Sequence, residues 1–409
     1  MRRNVAETYD VVIAGGGAAG LSLALALDAV AGKALSVAIC DPALAASARG
    51  DSRAYAIVAG ARRFFDSFGA WQAMERHAEP IRRMEITDSG LEELVRPLML
   101  GFEEAGTDAE PFAHMLPNGA ILAALMARAQ ATGIALLPAS VSSFECDGAR
   151  ISAIAGDRKI SARLLVAADG RGSRLREAAG IAYYGWSYPQ TAIVGTISHS
   201  LPHEGVAVQH FLPSGPFALL PLRGNQASIV WSERHEIARR LLALPADDLL
   251  AEVDKRAAGR LGTITAFQDV AAFPLSLGIA RRFVAPRFAL LGDAAHGYHP
   301  LAGQGLNYGL RGAAALAETI IDAARLGLDI GSQTALEPYE TARRPDVMAM
   351  VAATEALNRL FSTDSGPVRA IRDIGLGLVN RMPRLKSRFL EEAAGASGMA
   401  PRAFRGLPI

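Results

Sequence analysis

The sequence predicts an α/β fold: a three-layer, Rossmann-like domain on a parallel sheet, with an inserted antiparallel β-sheet domain and a helical C-terminus. Three observations predict it. A glycine-rich turn, Gly15-Gly16-Gly17-Ala18-Ala19-Gly20, lies between a short β-branched run and a run rich in Leu and Ala. Two later apolar runs each stop at a glycine motif, Asp169-Gly170 and Gly292-Asp293-Ala294-Ala295-His296. Between those motifs the pattern changes to short β-rich segments broken by Gly and Pro.

In chain order, Tyr9 to Ala14 reads as a strand, Leu21 to Leu27 as the following helix and Leu35 to Cys40 as a second strand. This strand-helix-strand context lifts a Gly-x-Gly-x-x-Gly match above coincidence. Gly119 to Ala129 reads as a helix, and Leu164 to Ala168 and Arg287 to Leu291 as buried strands. Ala207 to Leu212, Phe217 to Leu222 and Ala227 to Trp231 belong to the inserted sheet. After Ala313 the chain turns helical, with Pro338, Pro345, Pro367 and Pro383 as expected breakpoints. The implied division is a discontinuous nucleotide domain at 1–75, 106–182 and 284–340, a sheet domain at 76–105 and 183–283, and a helical region at 341–409.

With 409 residues, 50% of them hydrophobic and 20% charged, the chain is long enough for more than one cored domain. Its 42 basic and 41 acidic residues nearly cancel, which argues against nucleic acid as a partner. Two cysteines, Cys40 and Cys146, form no disulfide framework or zinc pattern, as expected in a reducing cytosol without a metal. Arg2 and Arg3 precede the apolar stretch Val11 to Leu27, but Glu7, Asp10 and four glycines argue against a signal peptide. No apolar run approaches the roughly 20 residues of a membrane span.

Chemistry concentrates at the three motifs. Gly15 permits a tight turn, Gly17 lets a pyrophosphate approach the backbone, and Gly20 allows close helix packing, with Gly16, Ala18 and Ala19 completing the loop. Asp41, just past the second strand, is placed to accept hydrogen bonds from an adenosine ribose. In the third motif Gly292 and Asp293 suit a ribityl hydroxyl. The helix starting near Gly303, Gln304, Gly305, Leu306 and Asn307 turns its positive end toward a reduced flavin. A pyrophosphate site combined with a ribityl site points to FAD rather than NAD. His296, Tyr298 and His299 invite assignment as acid–base groups, but hydrogen-bonding props fit a loop better, and no catalytic side chain is assigned. His210 and Trp231 face either substrate or core.

The chain resembles the class A flavin monooxygenases, within the group of ubiquinone-biosynthesis hydroxylases, over nearly its whole length. The resemblance is carried by the fingerprint, Asp51-Ser52-Arg53-Ala54, Gly69-Ala70-Trp71, the run from Leu165 to Ser173, Gly215 to Leu222 and Ser228-Ile229-Val230-Trp231. Phe273-Pro274-Leu275 and the segment from Gly292 through Gly303-Gln304-Gly305-Leu306-Asn307-Tyr308-Gly309-Leu310-Arg311 extend it. It implies that Arg53 and Asn118 contact the pyrophosphate or ribityl region, that Asp169 with Gly170 lies near flavin and nicotinamide, and that Pro300 lies by the reactive edge of the isoalloxazine. Gly312 departs from the family, which usually carries Asp there.

The implied activity is reduction of FAD by NADH or NADPH as a transient donor, and use of O2 through a C4a-hydroperoxyflavin to hydroxylate a polyprenylated phenol. A hydroxylase of soluble aromatics, a flavin-dependent prenyl reductase and a non-catalytic flavoprotein scaffold of a quinone-biosynthesis complex stay open as alternatives. From Pro367 to Leu390, Arg369, Arg372, Arg381, Arg384, Lys386 and Arg388 face only Asp373 and alternate with apolar residues. That pattern suits the cytoplasmic face of an anionic inner membrane or packing on the flavin domain or a partner subunit, equally. Oligomeric state, ring position and donor preference are open at this level.

Overall fold

The computed structural model describes residues 7–45, 53–88, 98–103, 110–212, 214–297, 304–361 and 400–409. Its first sheet orders the strands Val284–Ala285, Phe288–Leu290, Arg158–Ala167, Glu7–Ala14, Val37–Cys40 and Ala135–Leu137, the last five mutually parallel. Val11, Val12, Ile13 and Leu164, Leu165, Val166 are fully buried, as uninterrupted β-branched and Leu-rich runs must be when a sheet is covered on both faces. The helix Ala18–Ala31 lies between Asn118–Gln130 and Gly305–Arg325, and nine of its residues are buried, so no polar stripe is needed.

A second sheet of eight strands runs His296–Gly297, Ile264–Ala280, Tyr183–His199, Gln226–Arg234, Gly215–Leu222, Val206–Leu212, Arg83–Asp88 and Leu98–Glu103. It is not wholly antiparallel: Val206–Leu212 pairs in parallel with Arg83–Asp88, a strand from the chain segment that precedes helix Asn118–Gln130. One face is covered by helices His235–Leu242 and Ala246–Ala257, which bury Ile193, Val208, Phe217, Ile229 and Trp231. The opposite face turns toward the first domain, where Ala207 joins the main core and Leu220 and Leu222 pack against it.

Two expected breakpoints do not break. Pro338 and Pro345 lie inside one helix, Gln333–Phe361, both on its exposed side. Each removes one N–H donor, and solvent can satisfy the carbonyl so released. Pro367, Pro383 and the basic stretch 367–390 lie outside the described residues. The last residues, 400–409, return to the nucleotide domain: the Phe404 ring lies 5.9 Å from Phe64, and Arg63 donates to the Phe404 carbonyl at 3.1 Å. No helix among the described residues is long and apolar enough to cross a membrane.

Candidate cofactor and active site

The three motifs meet at the carboxyl ends of the parallel strands. The Gly15 amide donates to the Cys40 carbonyl at 2.9 Å, and the Ala168 amide to the Ala14 carbonyl at 2.7 Å. The Leu291 amide reaches the Ala167 carbonyl at 2.9 Å. Gly15 has φ +126°, where side chains are strained, and a Cβ on it would clash with the Ala168 carbonyl oxygen. A Cβ on Gly292 would touch that of Ala19 at 3.5 Å, and one on Gly309 would lie 3.6 Å from the Gly292 backbone. Fingerprint, Asp169-Gly170 and Gly292-Asp293 therefore share one rim.

The fingerprint glycines differ in what surrounds them. A Cβ on Gly20 would strike the Gly15 carbonyl, so this glycine serves helix packing. A Cβ on Gly17 would meet nothing within 4 Å, because it faces the open side where a phosphate must approach. Ala18 and Ala19 open the helix behind it, and neither an acidic residue nor a side-chain cap competes for its free N–H groups. Asp41 accepts from the Gly16 amide at 2.7 Å and from the Ala43 amide at 2.7 Å, which fixes its carboxylate at the strand end with lone pairs to spare.

Asp293 is exposed on the rim, yet the protein packed around it raises its proton affinity while Arg171 and Arg53 lower it. Arg53 is thus brought to the third motif, its guanidinium 5.4 Å from the Phe273 ring centroid on the second sheet. The Arg53 carbonyl accepts from the Asn118 amide at 2.8 Å, at the first turn of helix Asn118–Gln130, and Asn118 is 8% exposed. Asp169 takes a long 3.5 Å bond from the Leu175 amide. Gln304 precedes the helix Gly305–Arg325, with Gly305 open to space and Leu306 half-buried. Asn307 is committed differently from a simple ligand contact: its Oδ1 accepts from the Val58 amide at 3.1 Å and its Nδ2 donates to the Ala56 carbonyl at 2.7 Å. It fastens the strand that follows Arg53 to the helix. Pro300 and Gly303, with Tyr298 and His299, lie outside the described residues.

Several residues escaped the sequence reading. Arg176, only 4% exposed, donates to the carbonyls of Ala294 at 2.9 Å and Arg171 at 3.2 Å, clamping the second motif to the third. Its position seven residues past Asp169, one turn after Ser173 caps the helix Arg174–Ala178, was the available signal. The Tyr183 ring stacks on Arg176 at 4.1 Å and fills the space that Gly278 and Gly297 leave by lacking a Cβ. Burial raises the Tyr183 phenol above its ordinary proton affinity, with Arg171 and Arg176 opposing.

His296 is fully enclosed between Phe283 and Tyr308, and burial, aided by Arg343, pushes its pKa down to about 3. A neutral prop fits this position; a proton carrier at neutral pH does not. His210 and Trp231 belong to the helix-covered core face: His210 bonds Thr87 at 2.5 Å, and Trp231, wholly buried, carries Arg256 over its ring at 4.0 Å. Gly312 lies under Leu291 and Tyr339, while Arg311 and Arg343 both take Asp346 as partner.

The open Gly17 face, the anchored Asp41, the helix ends at Ala18 and Gly305 and the cationic Arg53 beside Asp293 fit an FAD molecule stretched along one rim. A family described as an FAD binding domain matches residues 8–354. The ubiquinone hydroxylase UbiL of Rhodospirillum rubrum is 42% identical, over 98% of this chain and 94% of its own. The 3-demethoxyubiquinol 3-hydroxylase of Escherichia coli is 31% identical, over 95% of this chain and 99% of its own. Among solved structures, PqsL of Pseudomonas aeruginosa superposes with a TM-score of 0.76 at 22% identity, over 90% of this chain and 99% of that one, a likeness of fold. With the family match spanning most of its length, the chain belongs to the FAD-dependent monooxygenases, in the group of ubiquinone-biosynthesis hydroxylases.

Proposed function

We propose that the protein hydroxylates the ring of a polyprenylated phenol on the path to ubiquinone, with NADH or NADPH as electron donor and O2 as oxygen source. The observation that carries this reading is the 42% identity, end to end, with a protein named as a ubiquinone hydroxylase. The half-buried Ile86 and Val230 on the inward face of the second sheet support it, since apolar residues there suit a prenylated ring.

FAD, when bound, supplies the electron storage and oxygen activation that no side chain provides. The protein's own residues bind and orient. Gly15, Gly16, Gly17, Ala18, Ala19 and Gly20 hold the pyrophosphate, Asp41 the adenosine ribose, and Asp169, Gly170, Gly292 and Asp293 the ribityl side. Arg53 and Asn118 add contacts, the helix end at Gln304, Gly305 and Leu306 is turned to the isoalloxazine with Asn307 fastening it from behind, and the resemblance assigns Pro300 and Gly303 to the same edge. The inserted sheet keeps water from the ring. We further place the protein in the cytoplasm, with the basic stretch 367–390 resting on the inner membrane or on a biosynthetic complex.

Complementation tests the reading. In a bacterial strain lacking its own ring hydroxylases, this chain should restore ubiquinone and remove one accumulated precursor, whose structure names the ring position. Stable flavin-loaded protein that changes no precursor would refute the assignment.

A further inference from the structure

The inserted sheet has one sealed face and one facing the cofactor domain, and alternation along each strand assigns its side chains. Along Val206–Leu212, Val206, Val208 and Leu212 join the helix-covered core, whereas Ala207 joins the core of the cofactor domain. Gln209 shares the inward parity of Ala207. The neighbouring strand agrees: Thr87 bonds His210 on the sealed side, so Ile86, in register with Gln209, points inward. Across the sheet the inward row runs Ile86, Gln209, Ala218, Val230 and Val194. Gln209 is its one polar member.

That amide makes no side-chain hydrogen bond among the described residues, and its nitrogen is sealed from solvent. Leaving a buried amide unpaired costs stability, so such a group in a native wall calls for an occupant. The same sheet reaches the third flavin motif, where Gly278 and Ile279 pair with Gly297 and His296. The unpaired amide stands on the same inward face as Ala207, Leu220 and Leu222, the side of the sheet turned to the cofactor domain.

We propose that Gln209 is the substrate-orienting residue, its amide hydrogen-bonding the ring oxygen of the phenol and so choosing which ring carbon faces the flavin. A phenol hydroxyl both donates and accepts, so it complements the amide in either of its two flipped orientations, and the NH2 orientation also stabilises the phenolate. Apolar neighbours on both sides leave the ring no competing partner in this row. The proposal rests on reading the protein as a phenol hydroxylase.

The test uses flavin-loaded wild type, Gln209→Leu and Gln209→Glu, titrated with a prenylated phenol and with the same compound lacking the ring oxygen, following flavin absorbance. The phenol should bind about tenfold more weakly to Gln209→Leu, with the deoxygenated compound unaffected and the product shifted toward other ring positions or toward peroxide. Because an orphaned donor is removed, the melting temperature of Gln209→Leu should not fall. Equal loss of both ligands, or unchanged phenol affinity in both variants, overturns the assignment while leaving the hydroxylase reading intact. Wild type that takes up FAD but binds no phenol overturns both.

Discussion

The guanidinium of Arg176 donates to the main-chain carbonyl of Ala294 at 2.9 Å, across 118 residues of sequence. Through that bond and its contacts to the Arg171 carbonyl, the segment after Asp169-Gly170 is tied to the segment after Gly292-Asp293. Two stretches proposed to contact one cofactor are thus held at a fixed separation before it arrives, which lowers the ordering cost of binding.

Arg176→Leu should therefore weaken FAD binding more than it weakens the fold. A charge-assisted bond lost from a buried site is worth about 1.5 to 3 kcal/mol, or roughly tenfold to a hundredfold in affinity. Titration of apoprotein with FAD by fluorescence quenching checks this, and Arg176→Lys should recover only part of the loss, because it lacks the planar fork.

The fingerprint glycines should separate into two phenotypes. Gly20→Val places a side chain against the Gly15 carbonyl and should lower the melting temperature of apoprotein and holoprotein alike. Gly17→Val meets open space in the folded chain, so the apoprotein should melt normally while flavin content falls sharply. Thermal melts beside flavin absorbance distinguish the two.

Asn307→Asp should destabilise the protein by about 1 to 3 kcal/mol. The carboxylate keeps the acceptor for the Val58 amide but sets a second acceptor against the Ala56 carbonyl, which Asn307 Nδ2 now satisfies. Urea denaturation measures the loss, and FAD affinity should fall with it because Arg53 immediately precedes the same strand.

Stability should decline as pH falls from about 6.5, the ordinary histidine value, toward 4. Burial lowers the pKa of His296 to about 3 and of His114 to about 4, so the unfolded chain binds protons in this window and the folded chain does not. Above 6.5 both states are neutral and these groups contribute no slope. Replacing His296 with Gln should flatten the decline of melting temperature in that window. The hydroxylation rate should show no neutral-pH limb belonging to His296.

The sequence made the cofactor domain legible because its signals are local: each strand runs directly into its motif, so a turn and its flanking residues stand together in Gly15 to Gly20 and in Gly292 to His296. Arg176 was hidden because its partner Ala294 is brought near only by the parallel pairing of Arg158–Ala167 with Phe288–Leu290. Tyr183 was hidden for a similar reason, since Gly278 and Gly297 become its slot only after two strands pair. The prolines misled because proline breaks a helix only where its lost bond cannot be replaced, and both 338 and 345 face solvent. For His210 and Trp231, residue type left both substrate and core open, and only the placement of helices His235–Leu242 and Ala246–Ala257 resolved it.

Isotope labelling tests the hydroxylase assignment most directly. The purified flavin-loaded protein would be supplied with a prenylated phenol, NADH and 18O2, and the product analysed by mass spectrometry. The expected result is a ring hydroxylated with a single labelled oxygen, formed in step with NADH consumption. Hydroxylated product carrying only solvent oxygen, or substrate-stimulated NADH consumption that releases peroxide alone from every phenol offered, would contradict the account.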